Sequence, residues 1–317
     1  MRIPGYSGRS RSGGLGGLLG NRFGLILIIV VGMVVWWFAN QKEGITGRNQ
    51  MITLAVEEEV QLGQQAYMQL LQSEPVLCGQ GARSCNTEEG ELVRLVQQIG
   101  GRIREAAIEW EREGAPMTVL GEEAGNLPGW GSLADKFDWQ FVVIASDQVN
   151  AFALPGGYTA VYTGILPVAA NENGLAAVMG HEIGHALARH GAERVSQQQV
   201  MQIGQLAAGA VFGDMGAGTQ RAVMGAFGMG AQVGVLLPFS REHESEADMI
   251  GLELLVRACF DPREAPRLWQ RMSQLGGGGG GSDMLSTHPD PAARAQAFEE
   301  VMPQAIAVYE KRCGPLN

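Results

Sequence analysis

The residues with the clearest capacity for chemistry lie in the run His181-Glu182-Ile183-Gly184-His185. On an α-helix, positions i and i+4 lie on one face a turn apart, so both imidazoles can reach one ion. Zinc accepts nitrogen ligands at about 2.0–2.1 Å and keeps one coordination position open in catalytic sites. Such an ion lowers the pKa of water to about 7, and Glu182, beside the imidazole face, is placed to take the proton. The chemistry expected is hydrolysis by metal-activated water. Leu175, Val178, Met179 and Leu187 flank the motif and put it on a core helix. Two histidines and a carboxylate buried there without a metal would leave polar groups unpaired.

Two imidazoles need a third ligand. The remaining histidines are His190, His243 and His288. His190 lies about 140° round from His185 if one helix carries both, which reads as a helix-end or packing residue rather than a ligand. The segment Ser240–Asp248 is a better source, because Glu244 and Asp248 share one helix face. Glu242 and Glu246 share another, roughly 160° away. One carboxylate can ligate the ion while a second orients a ligand imidazole. Spacing leaves both pairs open, and acids near a helix start are by themselves ordinary.

The elements that must hold these residues are legible in outline. Asn171 is a good N-cap for a helix running to about Arg189, and a second helix is expected from near Ser240 to Arg257. Alternation over Phe137–Val143 predicts a half-buried strand, and Val149–Leu154 and Tyr158–Thr163 follow as two more around the turn Pro155-Gly156-Gly157. Helical periodicity starts at Met51 and recurs over Glu91–Glu111, and a terminal helix is expected from about Pro291. Gln197–Phe212 and Thr219–Leu236 read as further helices; their repeated glycines, with Asp214 and Arg221, favour a buried hairpin over a membrane insertion. The run Gly276–Gly281 reads as a flexible loop. It lacks the context of a phosphate-binding loop, so no nucleotide is expected.

The chain has 317 residues and a formal net charge of −10. Residues 1–39 hold four arginines and no acid, so the remainder carries −14. A body this acidic is a poor match for nucleic acid, and that class is excluded. Residues 1–22 read as a disordered Gly/Arg/Ser tail. Phe23–Ala39 contains 17 residues without a charge, enough for about 26 Å of helix against a bilayer core of about 30 Å. Trp36-Trp37-Phe38-Ala39-Asn40 makes a poor signal-peptide cleavage site, so a retained transmembrane anchor in the lipid bilayer is expected. Arginines on its N-terminal side alone put the tail in the cytoplasm and the body across the membrane. Residues 40–50 then read as a linker and 51–317 as the catalytic domain.

Four cysteines fit an oxidising compartment such as a periplasm. Cys78 and Cys85 bracket a polar loop, leaving Cys259 and Cys313 as a possible long-range pair, although four cysteines allow three pairings. No C-x2-C pair supports a structural zinc site.

The motif His181–His185, followed by Ser240–Asp248, resembles metallopeptidase family forty-eight, the membrane-associated gluzincins. The likeness extends to Asn150-Ala151-Phe152-Ala153-Leu154-Pro155-Gly156-Gly157, to Thr287-His288-Pro289 and to Arg294, and spans roughly Met51 to Ala307. It implies an α+β fold, mostly helical, a zincin-like metalloprotease domain with a small mixed sheet. It implies one zinc ion held by His181, His185 and Glu244, with Asp248 behind them and Glu182 as base. It associates His288 with the active site, either supporting the oxyanion or capping the metal. It places Asn150 and Ala151 at a sheet edge that binds substrate. A single-pass inner-membrane endopeptidase acting on misfolded envelope polypeptides is the expectation; a zinc-bearing holdase or assembly factor with a latched site is the alternative. No tandem-repeat module follows the protease region, a departure from the repeat-bearing members.

Overall fold

The computed structural model describes residues 24, 28, 31–32, 34–78, 85–123, 125, 127–129, 131–212, 237–275, 284 and 287–316. Residues 34–39 are helical and largely exposed. Among the described residues no helix is long and apolar enough to cross a membrane, and most of 23–33 lies outside them.

Residues 40–50, expected as a linker, carry structure. Strands β1 (Gln41–Glu43) and β2 (Asn49–Met51) pair antiparallel, with Gln41 opposite Met51. Ile45 and Gln50 are buried, and the Gln50 amide donates to the Ala188 carbonyl at 2.7 Å. Because 49–51 pair as a strand, the helix expected from Met51, α1, begins later than periodicity predicts, at Val56–Ser73. Helix α2 (Thr87–Arg112) starts on a capping box in which Asn86 and Glu89 satisfy each other's backbone N–H groups.

The sheet is small and mixed. Strands β3 (Gln140–Ile144), β4 (Ala151–Leu154) and β5 (Tyr158–Tyr162) lie in the order β3-β5-β4, with β3 parallel and β4 antiparallel to β5. Central β5 is buried along its whole length. The β4–β5 turn takes Gly156 and Gly157 through φ of +86° and +90°, a backbone that glycine adopts without steric cost.

Helix α3 (Glu172–Leu187) starts at Asn171, whose side chain accepts from the Gly174 N–H at 2.9 Å. It is followed by α4 (His190–Phe212), α5 (Leu237–Arg257), α6 (Glu264–Leu275) and α7 (Pro291–Cys313). Helix α6 brings the buried Trp269 under the site and is not foreshadowed by the motifs. Past Gln197 the described side chains of α4 are mostly exposed, with Ile203 and Leu206 at 55% and 75%, rather than buried as expected. The helix expected over 219–236 lies outside the described residues.

Helices α3 and α5 cross with their backbones in contact. A Cβ on Gly184 would lie 2.7 Å from the Ala247 carbonyl oxygen, and one on Gly251 would lie 3.0 Å from the His181 nitrogen. That crossing sets the α3 histidines against the α5 acids. Disulfides join Cys78 to Cys85 and Cys259 to Cys313, with Cα–Cα distances of 5.3 and 5.6 Å; the second ties the segment after α5 to the end of α7.

Candidate metal centre

His181 and His185 project one turn apart from α3 and meet Glu244 of α5 and His288, which precedes α7. One donor atom from each falls within 4.8 Å of the other three. The separations are 3.1 Å between the two Nε2 atoms of His185 and His181, and 3.4 Å from each of these to a Glu244 oxygen. His288 Nδ1 lies 3.2 Å from His181 Nε2 and 2.8 Å from Glu244 Oε2. Four donors bonded to one ion at about 2.0–2.1 Å sit about 3.3 Å apart at the corners of a tetrahedron. The donor set, three imidazoles and a carboxylate, and its spacing both fit zinc.

The electrostatics of the metal-free site divide the two α3 imidazoles: His185 is held neutral, whereas His181 holds a proton that an ion would have to displace. Burial holds the His185 pKa well below its usual value, which keeps the ring in the neutral form that a metal requires. Burial also opposes charge on His181, yet hydrogen bonds to Asp248 and Glu244 outweigh it and raise the pKa to about 9. Glu244 is penalised by burial, but the three imidazoles around it hold its carboxyl far below the usual range. Glu182 is 3% exposed, and burial pushes its pKa up, toward the range useful to a general base. Its Oε1 has no hydrogen-bond partner among the described residues and lies 3.5 Å from His288 Nε2. An orphaned carboxylate oxygen beside four converging donors leaves room for a polar ligand.

Behind the donors, Asp248 Oδ1 lies 3.0 Å from His181 Nδ1. Arg294 of α7 grips Asp248 through Nε and Nη2 at 2.7 and 2.5 Å, and its guanidinium stacks over the Trp269 ring at 3.3 Å. Arg294 Nη2 also sits 3.0 Å from His181 Nδ1, and Nη1 lies 2.9 Å from Glu244.

His190 is a helix-end residue outside the donor set, as the sequence suggests, but it does not lie on a continuation of the α3 helix. The expected helix through Arg189 stops at Leu187; Arg189 takes φ +58° and α4 starts afresh at His190. The break returns His190 to His185, with Nδ1 to Nδ1 at 2.8 Å, instead of carrying it round a continuous helix. Its Nε2 meets Glu246 at 3.0 Å. Glu246, on the alternative acid face, therefore faces His190, while Glu244 and Asp248 face the donor cluster.

Strand β4 packs against α3, the helix that carries two of the donors. The Tyr162 N–H donates to Asn150 O at 3.1 Å, so Asn150, Phe152 and Leu154 turn their polar backbone groups toward β5. Ala151 and Ala153 turn theirs to the other side, where no described strand pairs. Of the two residues expected at the edge, Ala151 thus presents its backbone outward and Asn150 inward. The Met284 N–H donates to Val149 O at 3.3 Å, and His288 N–H to Met284 O at 2.7 Å, linking the strand's approach to the His288 turn.

The structure thus gathers His181, Glu182, His185, Glu244, Asp248 and His288 in one place. Sequence reasoning gave Arg294 no role, weighed Glu246 only as an alternative to Glu244, and passed over Arg48 and Trp269.

Comparison with known proteins gives a consistent result. The description Peptidase family M48 matches residues 130–302. The mitochondrial metalloendopeptidase OMA1 of Schizosaccharomyces pombe is 42% identical over 169 residues, 53% of this chain and 48% of that protein. The human mitochondrial metalloendopeptidase OMA1 is 32% identical across 57% of this chain and 36% of its own length. The β-barrel assembly-enhancing protease of Escherichia coli is 26% identical across 85% of this chain and 49% of its own length. The chain spans about half the length, or less, of these curated relatives.

Proposed function

The chain belongs to Peptidase family M48, and we propose that it is a membrane-anchored zinc endopeptidase that cleaves misfolded polypeptides of its envelope compartment. One observation carries the reading: His181, His185 and Glu244 converge at ion-binding distances beside Glu182 Oε1, which has no hydrogen-bond partner among the described residues.

His181, His185 and Glu244 would hold the ion. When bound, zinc polarises a carbonyl and makes water acidic enough to attack at neutral pH. Glu182, buried with a raised pKa, takes a proton from the attacking water and returns it to the leaving amine. Asp248 accepts from His181 Nδ1 and fixes that ring's tautomer, while Arg294 holds Asp248. An extended substrate adds beside β4, on the side that no described strand pairs, and bonds the Ala153 backbone and, once the approach to the buried Ala151 is opened, that residue's as well. His288 supports the oxyanion in this reading.

The apolar segment 23–39, with arginines on its N-terminal side only, supports an anchor with the catalytic domain outside the cytoplasm. Two disulfides support an oxidising compartment, a periplasm or its equivalent.

Glu182→Gln should retain zinc and lose casein hydrolysis by about 100-fold or more; a variant that still cleaves removes Glu182 as base. Glu244→Ala should lose zinc while Glu246→Ala retains a measurable site, and the reverse would reassign the third ligand.

A second reading has its own observation. His288 Nδ1 completes a four-donor set, and a closed set characterises a resting or structural site. The chain would then act as a holdase, or as a latched protease. Activity of His288→Ala on unfolded substrates, with wild type inert, supports the latch; inactivity of both favours the holdase.

A further inference from the structure

We infer that His190, Glu246 and Arg48 form a positioning relay for His185, through which the β1–β2 hairpin holds one metal ligand in place. The inference rests on the reading of His181, His185 and Glu244 as the ligand set.

With His185 Nε2 turned toward His181 and Glu244, only Nδ1 remains for a protein partner, and it faces His190 Nδ1 at 2.8 Å. A nitrogen–nitrogen contact of that length needs one proton between the two atoms. The far side of His190 decides which ring supplies it. Its Nε2 lies 3.0 Å from Glu246 Oε2, and an ionised carboxylate only accepts, so His190 carries its proton on Nε2. His190 Nδ1 is therefore the acceptor and His185 Nδ1–H the donor. The His185 tautomer that leaves Nε2 free for a metal is fixed by a carboxylate one imidazole away. His181 obtains the same control directly, from Asp248.

The carboxylate at the end of the row is itself fixed from the hairpin. Arg48 Nε donates to Glu246 at 2.6 Å, and Thr46 Oγ1 donates to its other oxygen at 2.5 Å. The remaining arm of Arg48 reaches Glu193 at 2.7 Å. Glu193 also accepts from His243 Nε2 at 2.8 Å, and His243 stacks on His190 with ring centres 4.1 Å apart. His190, Glu193, His243 and Glu246 are each less than 9% exposed. A polar row this deeply buried and this fully paired permits few alternative arrangements. Nothing in a five-residue metal motif requires an arginine some 130 positions upstream, yet the coordinates connect the two.

The test uses the whole chain in detergent. Zinc affinity is measured by chelator competition, and the His185 tautomer of the metal-free chain by nitrogen-15 NMR. Relative to wild type, Arg48→Met, Glu246→Gln and His190→Phe should each weaken zinc binding about 10- to 100-fold. His190→Gln, whose amide offers one acceptor and one donor at similar separation, should stay within about threefold of wild type. A merely structural role would lower the melting temperature of all four variants and leave the zinc constants of the folded fractions alike, which would overturn the relay. Equal affinity for His190→Phe and wild type would overturn it too. If wild type itself binds no zinc, the ligand reading fails. The metal-free tautomer then decides the relay alone: His185 protonated on Nδ1 in wild type and redistributed in His190→Phe upholds it, and an unchanged tautomer ends it.

Discussion

At the scale of single residues, the buried acids do different work according to what faces them. Glu182 has an oxygen without a hydrogen-bond partner among the described residues and a pKa raised by burial; Asp248 and Glu193 are saturated with donors. Asp248→Asn should keep the fold and weaken zinc binding about 10- to 100-fold, read by chelator competition. Glu193 gives a pH prediction. Burial would raise its pKa, but hydrogen bonds from His243 and Arg48 outweigh that and lower it to about 2. A folded-state pKa below the unfolded value means stability that is present above about 4.5 and lost as pH falls toward 2, worth at most about 3 kcal/mol. Denaturant midpoints through that window should fall less steeply in Glu193→Gln than in wild type. In the sequence His181 and His185 are legible from their motif, whereas helical spacing leaves Glu244 and Glu246 both open, and only the family resemblance singles out Glu244 and His288. His190 could not be placed, because a left-handed Arg189 interrupts the helix that the spacing argument takes as continuous. Arg48 carries no local signal, since its partners Glu193 and Glu246 come from distant parts of the chain.

At the scale of elements, the site depends on how closely α3 and α5 approach. Gly184 and Gly251 have no room for a side chain without displacing Ala247 or the backbone at His181. Gly251→Val should therefore push the helices apart, costing about 1–3 kcal/mol as overpacked core substitutions do. Because the displacement separates His181 from Glu244, zinc stoichiometry should fall along with the melting temperature. Caps and periodicity located most of the helices: Asn171 marks the start of α3, and the terminal helix begins at the expected Pro291. Strands of three residues are too short to show alternation, so β1 and β2 read as linker. Helix α6 escaped notice because it contains no motif, although Trp269 beneath the donors is one of its buried residues.

At the scale of the molecule, one covalent constraint ties distant parts together. The Cys259–Cys313 disulfide closes a 54-residue separation that contains α6, His288 and Arg294. Its removal by paired serine substitution should cost about 2–4 kcal/mol, measured as a drop in melting temperature without reductant. Of the three possible pairings, the one in which each cysteine joins its bracketing or remaining partner is the one the fold adopts; composition could suggest but not choose it, because pairing depends on where helix ends meet. The acidic balance and the apolar segment were plain in the sequence, whereas the wiring of the hairpin to the site was not.

Under the proposed function, the side of β4 that no described strand pairs has a consequence for selectivity. Ala153 is partly exposed there and Ala151 is 1% exposed, so a docking strand would have to open the approach to Ala151 and would then be held through main-chain atoms that every residue shares. Recognition of that kind discriminates by conformation: a compact protein has no spare length to lay down, and a frayed one does. The cleavage pattern should then follow local unfolding of the client more closely than any sequence motif.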